Sequence, residues 1–172
     1  MEPQTTLLTF SAAGRRLALP LGEVSRVVPL PLLEAPAGAP AFLEGFFDFA
    51  GTLVAAVRLD RLLSLGEEPL GVYSPLLILR RSNPPVALHV TAVDSILDLG
   101  SADIHPIAKD ETFNACVVGR VGLRGETTYV LSADEIMLAE ERAAVAAHRT
   151  MRKQRLAGLA EPAAQEALAH AS

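Results

Sequence analysis

The sequence contains no tryptophan, a single cysteine (Cys116) and only 5% aromatic residues among 172. One cysteine excludes an intramolecular disulfide and any zinc knuckle built on cysteine pairs, and it fits a reducing compartment, the cytoplasm by default. Positive charge is also short, with 15 basic residues against 20 acidic ones and a formal net charge of -5. That balance argues against nucleic acid and anionic lipid as partners, because both need clustered excess cations. No run of about 18 apolar residues free of charge or proline occurs, so direct membrane insertion is not expected. The first six residues lack the basic start of a secretory signal. Neither a glycine-rich phosphate loop between strand and helix nor a serine in a nucleophile elbow is present. The expectation is a protein that is not an enzyme and carries no cofactor. What the chain does have is apolar material, 50% of its residues. That suffices for a core, rules out global disorder and, at this length, favours one domain.

Up to residue 131 the punctuation is that of an all-β protein. Apolar runs at 7–10, 17–21, 42–49, 53–57, 76–79, 86–90, 116–123 and 127–131 are each four to eight residues long and broken by Gly and Pro, as strands are. A search for internal repeats finds one. Shifting 7–30 by 69 positions lays it without a gap on 76–99, and Leu7, Leu8, Phe10, Leu17, Leu19, Leu21, Val24, Val27, Val28 and Leu30 all land on apolar residues. With five more residues inserted, Gly45, Gly51, Val57 and Asp60 recur as Gly119, Gly125, Leu131 and Asp134. A unit of about 60 residues is small for an independent core. Two packed copies, each a small closed barrel whose glycines mark turns or sharp bends, solve both the core and the edge-strand problem.

After residue 131 the character changes. Ser132 followed three residues later by Glu135 reads as a capping box, and the Ala-, Glu-, Arg- and Leu-rich stretch beyond it predicts a helix over 132–160 with a flexible tail at 161–172. Acids cluster at its start and Arg149, Arg152, Lys153 and Arg155 near its end, the polarity the helix dipole favours. That basic cluster reads as a wet face or, alternatively, as a docking patch for an acidic partner. The histidines His89, His105, His148 and His170 have no ligand at i+3 or i+4, so no metal site is expected. His89 reads as a packed or half-exposed strand residue, Cys116 as an inert buried thiol, and the acid pairs Glu67–Glu68 and Asp110–Glu111 as solvated loops.

Three consecutive stretches, G-A-P-A-F-L-E-G over 38–45, F-F-D-F-A-G over 46–51 and T-L-V-A-A-V-R-L-D over 52–60, resemble the signature of CheW-like chemotaxis adaptors. There a P-x-F-x-x-G run leads to N-L-R-G and then V-V-P-V-V-D-L-R. The likeness runs from Leu7 to Glu141. It implies a CheW-like domain over 1–141, made of two intertwined five-stranded SH3-like barrels at about 7–65 and 76–131. It further implies a non-catalytic adaptor in chemosensory arrays that couples the regulatory domain of a CheA-type histidine kinase to the tip of a methyl-accepting chemoreceptor, with other CheW-like proteins as neighbours. The implied partner-binding residues are Val24, Arg26, Phe49, Ala50, Arg58 and Val93. Departures from the pattern fall among them. Ala50 stands for the family's Arg, and Arg26 for an acid, so the receptor groove diverges. Ala55 replaces the family's Pro, while Arg58 and Asp60 carry an Asp-x-Arg pair in reversed order. A rival reading makes the C-terminal helix the functional element, docking another signalling protein such as a methyltransferase or response regulator.

Overall fold

The computed structural model describes residues 4–100, 103–107 and 115–170. The acid pair Asp110 and Glu111 lies outside them, as do the last two residues of the 161–172 tail. In chain order the elements are β1 (Gln4–Ala12), β2 (Arg15–Pro20), β3 (Val24–Val28), β4 (Leu43–Phe49), β5 (Thr52–Arg58), the single turn α1 (Leu59–Leu62), β6 (Leu76–Leu79), β7 (Val86–His89), β8 (Ala92–Gly100), β9 (His105–Pro106), β10 (Val117–Leu123), β11 (Glu126–Leu131) and α2 (Ala139–His170). The fold is mainly β, with two mixed sheets and one long C-terminal helix. The first sheet runs β8-β1-β2-β11-β10-β9 and the second β3-β6-β7-β5-β4. The two-residue β9 has no counterpart in the second sheet, which is why one has six strands and the other the expected five.

The duplication is written into the pairing registers. Leu8 faces Leu19 across β1–β2, and Leu77 faces Leu88 across β6–β7. The β3–β6 pairs Val28↔Leu76 and Val27↔Leu77 recur as Leu97↔Leu7 and Ile96↔Leu8 across β8–β1. Even the register shifts are repeated: one lies between Leu43 and Gly45, its equivalent between Val117 and Gly119. The two halves have also exchanged strands. The hairpin β1–β2 pairs with β8 and β11 from the rear half, whereas β6–β7 sits between β3 and β5 from the front half.

Exchange explains why the strands read as continuous apolar runs rather than alternating ones. A strand buried on both faces needs apolar residues at every position. Leu8, Leu17, Leu19 and Leu131 from the first sheet meet Val57, Leu77, Val86 and Leu88 from the second in one shared core. The opposite faces fill two private clusters, built on Leu7, Ala18 and Val130 in one sheet and on the equivalent Leu76, Ala87 and Ala56 in the other.

Glycine is required at two kinds of position. Gly51 and Gly125 have φ of +84° and +79° and follow Ala50 and Arg124, themselves at +51° and +52°. Two consecutive left-handed residues between paired strands form a type I′ hairpin turn, which favours Asn or Asp at its first position. Alanine there is strained by about 1 kcal/mol. Ala50→Asn should therefore raise the urea midpoint, adding about 0.5–1 kcal/mol. Gly45 and Gly119 sit instead at the strand irregularities, where a Cβ would lie 2.6 Å from the Glu34 carbonyl oxygen and 2.8 Å from Ile104 Cγ2, respectively.

The C-terminal helix differs from expectation at both ends. The capping-box pattern at Ser132 does not open the helix: the Ser132 N–H donates to the Cys116 carbonyl at 2.9 Å and the Glu135 N–H to the Ser132 carbonyl at 3.1 Å. Residues 132–135 make a turn instead, and Ile136 and Met137 anchor in the shared core. The helix starts at Ala139, where Glu141 reaches back to accept from the Leu138 N–H at 2.7 Å. That bond is half of a capping box, one turn and a half later than predicted. At the other end the backbone stays helical through Pro162 to His170.

Candidate partner-binding surfaces

Cys116, His89 and the Arg58–Asp60 pair are enclosed in the fold. The Cys116 thiol is fully buried, and burial pushes its pKa up to about 11, so it is no nucleophile near neutral pH. His89 is 3% exposed; its Nδ1 lies 2.7 Å from Glu44 Oε2, and its Nε2 has no partner among the described residues. The equivalent positions in the other sheet are Pro20 and Val118, so the pair belongs to one half only. Among the described residues, no group of three or more His, Cys, Asp and Glu is placed to hold a metal ion.

Arg58 and Asp60 form the second enclosed pair. At the end of β5 the Arg58 Nε donates to Asp60 Oδ1 at 3.0 Å, its Nη2 donates to Asp60 Oδ2, and Nη2 also donates to the Glu68 carbonyl at 3.0 Å. The two side chains are 11% and 3% exposed. Burial alone would raise the Asp60 carboxyl; the Arg58 hydrogen bond and charge, helped by the Arg61 N–H, outweigh it and hold it below the usual carboxylate range. The two charges at which the sequence departs from the family pattern are thus paired with each other inside the protein. In the rear copy the same positions are Ser132 and Asp134, and Asp134 is exposed.

The sequence-predicted partner residues fall into three places. Val24 and Val93 are equivalent in the repeat and pack at the shared core, Val24 at 6% exposure. Arg26 is exposed on β3, the edge strand of the second sheet, while Phe49 and the exposed Ala50 form the tip of the β4–β5 hairpin at that sheet's opposite edge. Arg58 points inward to Asp60, so its guanidinium anchors the linker after β5. Val24 and its repeat mate Val93 thus pack against the same core cluster, on edge strands of different sheets, and Arg26 is separated from Ala50 by the inner strands in sheet order.

Two further side chains stand out only in three dimensions. Val27 on β3 is 46% exposed and its equivalent Ile96 on β8 is 59% exposed. Each lies on an edge strand, where unpaired backbone groups invite a neighbouring strand or side chain. Their apolar character was visible in the repeat; their exposure was not, because it depends on which strand ends each sheet. The helix supplies a third surface. Val145 is fully buried and Arg149 Nε donates to the Leu53 carbonyl at 2.9 Å, fixing α2 against β5. From Thr150 to Leu159 every side chain is exposed.

The structure thus presents two sheets with exchanged strands around one apolar core, with an apolar side chain open on each of two equivalent edge strands. The model of the CheW-like domain family matches residues 6–143, and the chain belongs to that family. Its fold is similar to that of a scaffolding protein, TtCheW from Thermoanaerobacter tengcongensis, with a TM-score of 0.72 at 18% identity over 82% of this chain and 92% of that one. No curated protein matches the sequence significantly. No helix among the described residues is long and apolar enough to cross a membrane.

Proposed function

We propose that the chain is a non-catalytic adaptor that couples a CheA-type histidine kinase to chemoreceptors in a bacterial chemosensory pathway, working in the cytoplasm at the arrays. The observation that carries this reading is the pair of equivalent edge strands, each leaving one large apolar side chain, Val27 or Ile96, in water. A scaffold with two related edges can hold two related domains, one at each end: the kinase regulatory domain, and a second CheW-like domain. The test is direct binding to a purified CheA-type regulatory domain.

For the receptor tip the reading keeps the residues that the family resemblance implies, Val24, Val93, Arg26 and the Phe49–Ala50 hairpin tip, with Arg58 acting through its hold on the linker. With Arg26 and Ala50 in place of an acid and an arginine, a standard receptor tip meets a like charge at one point and no partner at another, which penalises it. Ala50→Arg combined with Arg26→Glu should raise affinity for a standard receptor tip about tenfold, measured by calorimetry. Unchanged affinity places the groove elsewhere.

A second reading, in which α2 docks another signalling protein, draws support from the family match ending at residue 143 while the helix continues to His170. Removing residues 151–172 leaves the Val145 and Arg149 anchors in place. Kinase binding should survive that truncation, and loss of the main partner instead favours the second reading.

A further inference from the structure

Beyond Val145 the face of α2 that packs on the body continues as a stripe. His148, Arg152 and Arg155 recur at spacings of four and three, so they share one side of the helix. Together with Met151 they line a cleft whose other wall is the 34–37 loop, including Glu34, and which Phe46 also lines. The loop lies close against β4, where the Glu34 backbone approaches Gly45 with no room for a Cβ between them.

Three features of the cleft are unsatisfied. Neither Arg152 nor Arg155 has a hydrogen bond or ion pair among the described residues, and His148 Nδ1 is buried without a partner. Met151 is 42% exposed beside Phe46, which is 8% exposed. Two free guanidinium groups prefer carboxylates, which they hold through paired N–H donors. The adjoining Met and Phe add an apolar contact. Glu34 is the single acid among the lining residues, so cations prevail there although the chain as a whole is at -5.

We propose that this cleft receives an acidic segment of a protein partner, with carboxylates on Arg152 and Arg155 and an apolar side chain against Met151 and Phe46. An anionic membrane is a poorer match, since it would meet the overall negative charge and the acidic first turns of α2 at once. The proposal deepens the second reading above and is independent of kinase coupling, because both arginines lie beyond the family-matched region.

The test uses the full chain and a fluorescein-labelled peptide of six glutamates and two leucines, followed by anisotropy. Saturable binding is expected. Arg152→Glu with Arg155→Glu should weaken it at least about tenfold, Arg152→Gln with Arg155→Gln should weaken it less, and Glu34→Gln should tighten it. Raising salt should weaken it throughout. Kinase binding by the same variants should be unchanged, which separates failure here from failure of the adaptor reading. Equal binding of a glutamine-for-glutamate peptide overturns the proposal. So does full competition by millimolar inorganic phosphate, or capture of phosphatidylserine vesicles in place of the peptide.

Discussion

Arg58→Leu should destabilise the protein by about 3–5 kcal/mol in urea unfolding, because it leaves the Asp60 carboxylate buried without its cation. Asp60 is 2% exposed, and the Arg61 N–H alone cannot replace two guanidinium bonds. Replacing both partners, Arg58→Leu with Asp60→Leu, should recover most of that loss, since a buried pair and well-packed apolar groups are close in energy. The pH dependence separates the cases further. The folded Asp60 carboxyl lies below its unfolded value. Its contribution is therefore complete above the ordinary carboxylate range and is lost as pH falls through the folded value. In Arg58→Leu, burial raises the same carboxyl, so acidification favours its neutral form and the gap to the parent protein narrows at low pH. A gap that stays constant from pH 7 to about pH 3 contradicts this account of the pair.

Gly45→Ala should be nearly as costly, about 2–4 kcal/mol, and for a reason local to one copy of the repeat. Its Cβ would meet the oxygen, carbon and nitrogen of Glu34 at 2.6, 3.2 and 3.2 Å, and the φ of +152° is unfavourable for an L side chain. Backbone cannot rotate aside as a side chain can. At the equivalent Gly119 the closest neighbour is Ile104 Cγ2 at 2.8 Å, with the His105 oxygen at 3.3 Å and φ outside the left-handed range. Gly119→Ala should accordingly lose less than half as much. Equal losses at the two sites show that the shared irregularity, and not the Glu34 contact, sets the cost. Because Glu34 and Gly45 together fix one wall of the α2 cleft, Gly45→Ala should also weaken capture of the acidic peptide.

Much of the fold was legible because the repeat is carried by buried positions. Leu7 and Leu8 map onto Leu76 and Leu77, and Ala18 and Leu19 onto Ala87 and Leu88, with the same pairings. Burial constrains those residues to be apolar in both copies. Intertwined barrels were implied by the family resemblance but not by the residues themselves: β1 could equally pair with β3 of its own half as with β8, and the local sequence is the same in either case. The start of α2 was misread because Ser132 and Glu135 satisfy a local capping pattern, while the competing acceptor for the Ser132 N–H, the Cys116 carbonyl, lies 16 residues away in sequence. Position alone left His89 as a packed or half-exposed strand residue, and it is buried. Its partner Glu44 is 45 residues distant and could be found only in space.

The candidate surfaces divide along the same line. Val24 and Val93 were visible as repeat mates, and Arg26 and Ala50 as departures from a family pattern, because both signals are written in residue identity. The exposure of Val27 and Ile96 follows from sheet order, and the basic cleft follows from a helix lying against a loop more than 100 positions earlier in the chain. Neither leaves a mark on local sequence. Arg58 is the middle case, a departure from the family pattern noticed in sequence whose side chain proves to be held in an internal pair with Asp60.

The account stands or falls on whether its two apolar edges hold kinase. Titrating the full chain into a purified CheA-type regulatory domain should give a saturable complex with a Kd below about 50 μM, and Val27→Glu with Ile96→Glu should weaken it at least about tenfold while leaving the urea midpoint unchanged. No complex at that concentration, or a complex that the two edge substitutions do not affect, contradicts it.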